Sequence, residues 1–127
     1  MPSSRRILIV EDDEAIRFAT VLRLRQQGYQ TFTASDGEAG LKAALTLRPD
    51  MILMDIRMPK LDGLAALREL KGNPETLHIP VVIVSASPGD QSNALDSGAE
   101  YFVRKPYSHE LLTQVLASAF TAPTLGR

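Results

Sequence analysis

Three runs of four consecutive apolar residues punctuate this chain of 127 residues: Ile7-Leu8-Ile9-Val10, Met51-Ile52-Leu53-Met54 and Val81-Val82-Ile83-Val84. A shorter one follows at Tyr101-Phe102-Val103. Each is too short for a helix and ends in polar or charged residues, so each reads as a strand buried on both faces. Strands without polar alternation belong to parallel sheets, and such sheets need a layer of helices above and below.

The intervening segments supply those layers. From Glu14 to Gln27 the spacing is helical, Asp12 or Asp13 can cap the start, and Gly28 suits the position just past the end. Tyr29 to Ala34 alternates, which predicts a half-exposed edge strand. Ser35-Asp36-Gly37-Glu38 matches a capping box with Ser35 at the cap. Its helix is expected to turn Ala39, Leu41, Ala44, Leu45 and Leu47 inward and to stop before Pro49. Asp62 can cap a helix from Gly63 to about Lys71 with Leu64, Leu67 and Leu70 on one face. Pro88-Gly89 break the chain before a short helix over Asp90–Ser97, closed by Gly98. Ser108 caps a last helix, with Leu111, Leu112, Val115, Leu116 and Ala119 inward. Five strand units alternate with five helical ones, and crossovers of this length imply parallel strands. The expected fold class is α/β: a flavodoxin-like, doubly wound, five-stranded parallel sheet of order 2-1-3-4-5 with five helices.

In such a sheet the carboxyl ends of all strands share one edge, where α/β folds place their chemistry. The residues expected there are Glu11 and Asp12, Asp55, Ser85 and Lys105, each set at the end of a strand. Three clustered carboxylates repel and raise one another's pKa values unless a cation is present. A hard divalent cation with oxygen ligands answers that need, and Mg²⁺ suits it. A carboxylate beside Mg²⁺ and a lysine can attack phosphorus to give an aspartyl-phosphate. Lys105 and the metal would bear on the phosphoryl oxygens, and Ser85 could donate a hydrogen bond to one of them. Singly, each residue has a plainer reading as a helix cap, a turn residue or a surface charge.

The ordered motifs carry a resemblance. Ile9-Val10-Glu11-Asp12-Asp13-Glu14, Met54-Asp55-Ile56-Arg57-Met58-Pro59-Lys60-Leu61-Asp62-Gly63, Val84-Ser85-Ala86, Ser97-Gly98-Ala99 and Val103-Arg104-Lys105-Pro106 are similar to receiver domains of two-component response regulators, in the stand-alone, chemotaxis-regulator-like form. It covers residues 5–120, leaving 1–4 as a disordered N-terminus and 121–127 as a flexible tail. The resemblance implies that Asp55 accepts a phosphoryl group from a sensor histidine kinase or a histidine phosphotransfer protein. It also implies that Glu11, Asp12, Asp55 and the backbone carbonyl of Arg57 hold Mg²⁺ or Mn²⁺, and that Lys105 pairs with the phosphoryl group. Ser85 and Phe102 would form a switch pair, although strand alternation leaves Tyr101 as the other candidate aromatic. Arg57 and Ser87, two residues after Asp55 and Ser85, would tune the lifetime of the phosphoryl group. The implied role is a phosphorylation-dependent signalling switch, not an enzyme beyond its own phosphoryl transfer and slow autodephosphorylation. Its output would go to a downstream protein partner.

The remaining features bound that reading. Net charge is −1, and Arg5-Arg6 and Arg23-Arg25 are too sparse for a nucleic-acid footprint, so direct nucleic-acid binding is not expected. There is no cysteine, and no apolar run long enough for a signal peptide or a membrane span, so a cytoplasmic protein is expected. His78 and His109 lack metal-ligand spacing and read as surface residues. An aspartyl-phosphate hydrolase would want an acid where Arg57 stands. A flavodoxin-type cofactor carrier would want a small-residue phosphate loop where Glu11-Asp12-Asp13-Glu14 stand. Two departures from the family stand out. The stretch from Ser85 to Gly98 is short, which predicts a short or late fourth helix. Phe18, Val21 and Leu22 fall on the expected outer face of the first helix, with Arg23 near a core position. That pattern fits either a shifted register or an apolar patch for a partner or a second copy. A homodimer would use this helix, or the face formed by the fourth helix, fifth strand and fifth helix.

Overall fold

The computed structural model describes residues 5–58 and 60–121. The expected segment 1–4 and all but the first residue of the expected tail lie outside the described residues. Along the chain run β1 (Arg6–Val10), α1 (Glu14–Gln26), β2 (Gln30–Ala34), α2 (Gly37–Leu47), β3 (Met51–Asp55), α3 (Gly63–Gly72), β4 (Val81–Ser85), α4 (Asp90–Asp96), β5 (Tyr101–Arg104) and α5 (His109–Thr121). The strands form one sheet of order β2-β1-β3-β4-β5, parallel throughout. No helix among the described residues is long and apolar enough to cross a membrane.

Alternation along the central strands sorts the core into two layers. Leu8, Val10, Ile52, Met54, Val81 and Ile83 pack against Ala44 of α2, Ala66, Leu67 and Leu70 of α3, and Ala94 of α4. Ile7, Ile9, Met51, Leu53, Val82 and Val84 pack against Leu24 of α1 and Leu112, Leu116 and Ala119 of α5. Both faces of the sheet are therefore dry, as its uninterrupted apolar strands require.

Several local expectations need correcting. The cap of α2 is Asp36, whose Oδ1 accepts from the Ala39 amide at 2.7 Å, and not Ser35. Both residue types cap well, and an Asp one residue later starts the helix one residue later. Leu45 and Leu111 were expected inward but are exposed; the buried faces fall instead on Gly37, Gly40 and Ala44, and on Leu112, Leu116 and Ala119. His109 is half-buried, with its Nδ1 enclosed and unpartnered. In α1 only Thr20 and Leu24 are buried, Arg23 is exposed, and Phe18 and Leu22 remain 64% and 46% exposed. No shifted register hides these two, so the apolar patch on α1 is open in the monomer. As expected, α4 is short, at seven residues.

One glycine allows the sheet edge to be approached closely. Gly63 opens α3, and its amide donates to the Ile56 carbonyl at 2.8 Å, which closes the loop after β3. A Cβ at Gly63 would run into the Asp55 carbonyl oxygen and lie 2.7 Å from Ile56 Cα. Both obstacles are backbone and cannot step aside. Gly63→Ala is expected to cost about 1–3 kcal/mol, the range of overpacked cores, and to lower Tm by roughly 5–10 °C. Gly72→Ala meets nothing within 4 Å and is expected to leave Tm unchanged or slightly raised. Thermal unfolding of the two variants checks the contrast.

Candidate functional site

The site is assembled from four strand ends. At the end of β1 the Glu11 amide donates to the Ala34 carbonyl at 3.0 Å, extending the β1–β2 ladder by one bond. Asp13 then caps α1 by accepting from the Ile16 amide at 2.9 Å. That turn buries Glu11, whose Oε2 accepts from the Asp13 amide at 3.1 Å, and leaves Asp12 exposed. Asp55 closes β3 and is buried, with its Oδ1 accepting from the Ile56 amide at 2.8 Å. Beyond β5 the Lys105 amide donates to the Ser85 carbonyl at 2.8 Å, so the ends of β4 and β5 are tied together.

Lys105 Nζ then reaches back across the sheet edge. It lies 3.0 Å from Asp55 Oδ2 and 3.4 Å from Glu11 Oε1. Burial pulls the lysine pKa down, but the hydrogen bond and charge of Asp55, with the charge of Glu11, outweigh it and hold the ammonium above its usual value. Glu11 is pushed up, first by burial and then by the Asp55 charge, against the Asp13 amide and Lys105, which favour its ionised form. Tyr107, which borders the small space beneath Glu11 and Asp55, is raised by burial and stays a neutral phenol at neutral pH.

Oxygens of Glu11, Asp12 and Asp55 all lie within 4.8 Å of one another, so these residues could hold a metal ion. The donor set fits a hard divalent cation: it is all oxygen and anionic, and two of its members are buried. The cleft alongside is about 510 Å³ and is bordered by Asp12, Arg57, Met58, Asp62 and Asp90. Arg57 thus lines the same cleft as Asp12.

Ser85 is fully buried, and its hydroxyl donates to Asp90 Oδ2 at 2.7 Å while accepting from the Ser87 amide at 3.1 Å. Arg57 Nη2 stands 3.6 Å from the same Asp90 oxygen. Phe102 pairs in register with Ile83 and packs half-buried on the sheet face that carries Val81 and Ile83. Ser85 continues that alternation, so Phe102 shares its face, whereas Tyr101 packs against the opposite layer. The structure thus brings Glu11, Asp12, Asp55 and Lys105 together directly, and places Ser85, Ser87 and Arg57 around Asp90. Sequence reasoning missed Asp90. Its only signal was an acid directly after the Pro88-Gly89 break, five residues beyond Ser85.

Residues 7–117 match the response regulator receiver domain. The chain belongs to that family. Response regulator PleD of Caulobacter vibrioides is 41% identical over 111 residues, covering 86% of this chain and 24% of its own length. The alkaline phosphatase synthesis transcriptional regulatory protein PhoP of Bacillus subtilis is 36% identical over 107 residues, covering 83% of this chain and 44% of its own. The receiver thus spans about a quarter to a half of the length of these relatives. Among solved structures, it is similar to the receiver domain of sensor histidine kinase PA1611 from Pseudomonas aeruginosa, which has a magnesium ion coordinated in its active site cleft. That likeness has a TM-score of 0.86 at 31% identity and covers 92% of this chain and 98% of the other. The signal receiver domain of a signal transduction histidine kinase from Syntrophus aciditrophicus matches with a TM-score of 0.87, also at 31% identity, over 98% and 96% of the two chains.

The acidic cluster makes a prediction that needs no phosphoryl donor. Mg²⁺ at roughly a hundred times its dissociation constant is expected to stabilise the fold by about 2.7 kcal/mol, a Tm rise of roughly 10 °C. Asp12→Asn should remove that increment while shifting the metal-free Tm by no more than about 2 °C, since Asp12 is exposed. Differential scanning fluorimetry with and without Mg²⁺ measures both.

Proposed function

We propose that this receiver is a phosphorylation-dependent signalling switch in which Asp55 accepts a phosphoryl group from the phosphohistidine of a sensor histidine kinase or a histidine phosphotransfer protein. The observation that carries the reading is the Lys105 ammonium at 3.0 Å from the buried Asp55 carboxylate, beside two further carboxylates. In the transfer, an Asp55 oxygen bonds to phosphorus as the phosphorus–nitrogen bond of the donor breaks, and the electron pair leaves with the imidazole nitrogen. The Ile56 amide and Lys105 Nζ hold the two carboxylate oxygens separately, which fixes the plane of the nucleophile. Lys105 neutralises charge on the transferred group. Glu11, Asp12, Asp55 and the Arg57 carbonyl would hold Mg²⁺, or Mn²⁺, which such an oxygen set also accepts. The metal, when bound, supplies positive charge to the phosphoryl oxygens.

Ser85 hydrogen-bonds the phosphoryl group once it is in place, and Phe102, on the same face of the sheet, takes up the space that the hydroxyl leaves. Added phosphate charge can bias such a pair only if both arrangements already exist. Arg57 at the mouth of the cleft and Ser87 beside Ser85 set water access and hence the phosphoryl lifetime. The domain is a regulator whose only chemistry is its own phosphorylation and slow autodephosphorylation. It works in the cytoplasm and passes its signal to a protein partner, without touching nucleic acid or membrane. The open Phe18 and Leu22 favour α1 as a protein-binding surface, and a second copy of this chain can occupy it; the α4–β5–α5 face is the other surface for a homodimer.

Incubation with Mg²⁺ and acetyl phosphate is expected to add the mass of one phosphoryl group to the intact protein, and to add none to Asp55→Asn. Wild type that gains no such mass, or Asp55→Asn that still does, overturns the reading. For self-association, sedimentation of the phosphorylated protein is expected to show a concentration-dependent rise in mass that Phe18→Asp abolishes. A rise that survives Phe18→Asp moves the contact to the α4–β5–α5 face.

A further inference from the structure

The Ser85 hydroxyl has one proton, and it is donated in a hydrogen bond to Asp90. Asp90 Oδ2 accepts that hydrogen bond at 2.7 Å, while the Ser87 amide donates to the Ser85 hydroxyl oxygen at 3.1 Å. A hydroxyl that donates to a carboxylate cannot donate to a second anion at the same time. The bond is charge-assisted, and Ser85 is 0% exposed, so water does not substitute for either partner. Asp90 is itself only 15% exposed at its side chain and is met by the Arg57 guanidinium at 3.6 Å. One carboxylate on the first residue of α4 thus engages both the end of β4 and the loop after β3.

We propose that Asp90 is a positioning residue that competes with the phosphoryl group for Ser85. In the unphosphorylated protein Asp90 accepts the hydrogen bond of the Ser85 hydroxyl and draws Arg57 toward itself. A phosphoryl group on Asp55 must win the hydroxyl from Asp90, and its oxygens offer Arg57 a second anion. Phosphorylation therefore leaves Asp90 without its buried donor, and the start of α4 loses the side-chain bond that ties it to β4. The cost of breaking that bond is subtracted from the affinity of the site for its phosphoryl group. This inference rests on the reading of Asp55 as phosphoryl acceptor.

Beryllofluoride with Mg²⁺, a phosphoryl mimic that binds without a covalent transfer from a donor protein, tests it. Titration followed by amide NMR is expected to give about tenfold tighter binding to Asp90→Ala than to wild type, within the range of one hydrogen bond to a charged group. Asp90→Asn, which keeps the shape but not the charge, should fall between. In a Ser85→Ala background the Asp90→Ala gain should vanish, since there is no hydroxyl to compete for. The Ser87 amide resonance, whose proton sits on Ser85 Oγ, should lie nearer its beryllofluoride-bound position in free Asp90→Ala than in free wild type. Equal or weaker binding by both Asp90 variants, or a gain that survives Ser85→Ala, overturns the proposal while leaving Asp55 as acceptor. Wild type that binds no beryllofluoride overturns the phosphoacceptor reading and this inference with it.

Discussion

The Lys105 ammonium between the carboxylates of Glu11 and Asp55 is the contact on which the rest of the site depends. It joins residues 94 and 50 positions apart in the chain. It can form only if β1, β3 and β5 end at the same edge and in register. The strand order puts β1 beside β3, with Val10 opposite Met54, and β4 carries β5 to within reach through the Ser85 carbonyl. A one-residue slip in any of these pairings would turn a charged side chain into a dry helical layer, where an unpaired charge is costly.

The contact is also incomplete. One ammonium against three carboxylates leaves two negative charges at the sheet edge. Glu11 shows the consequence: burial and Asp55 together raise its pKa in spite of the lysine. A carboxyl whose folded pKa is raised contributes stability below its unfolded pKa and loses that contribution as pH rises through the folded value. At neutral pH the Glu11 carboxylate therefore works against the fold, whereas Lys105, whose ammonium is held above its usual value, works for it; a divalent cation bound there relieves the carboxylate. Function and stability are opposed at Glu11, as they commonly are where charge is concentrated for chemistry.

What the chain spelled out locally was legible, and what depended on neighbours across the sheet was not. The doubly buried strands were plain because Ile7–Val10, Met51–Met54 and Val81–Val84 contain no polar residue. Glu11, Asp12, Asp55, Ser85 and Lys105 could be placed because parallel topology forces strand ends to one edge. The choice between Phe102 and Tyr101 needed the register of β5 on β4, which sets Phe102 opposite Ile83. The cap of α2 was misread because Ser35 and Asp36 are both competent and only the chain's entry angle decides between them. Leu45 and Leu111 were misread because apolar residues at helical spacing outnumber the positions their helices bury. Asp90 escaped notice because its role depends on the path of the turn through Pro88-Gly89.

That turn also sets how firmly α4 is held to the rest of the fold. A helix of seven residues is far below the length that holds itself together in water. α4 follows Gly89, which gives it no side-chain cap, and buries only Ala94 against the core. Few interactions fix it, so each of them weighs heavily, and the Asp90–Ser85 bond is one of them. An element held by so little has other arrangements close in energy, which is the condition for a small local change to select among them. The Ser85 hydroxyl at the end of β4 is bonded directly to the first residue of α4, with no intervening side chain. The short segment after β4 thus ties the first residue of α4 to the end of β4 through a single buried hydrogen bond.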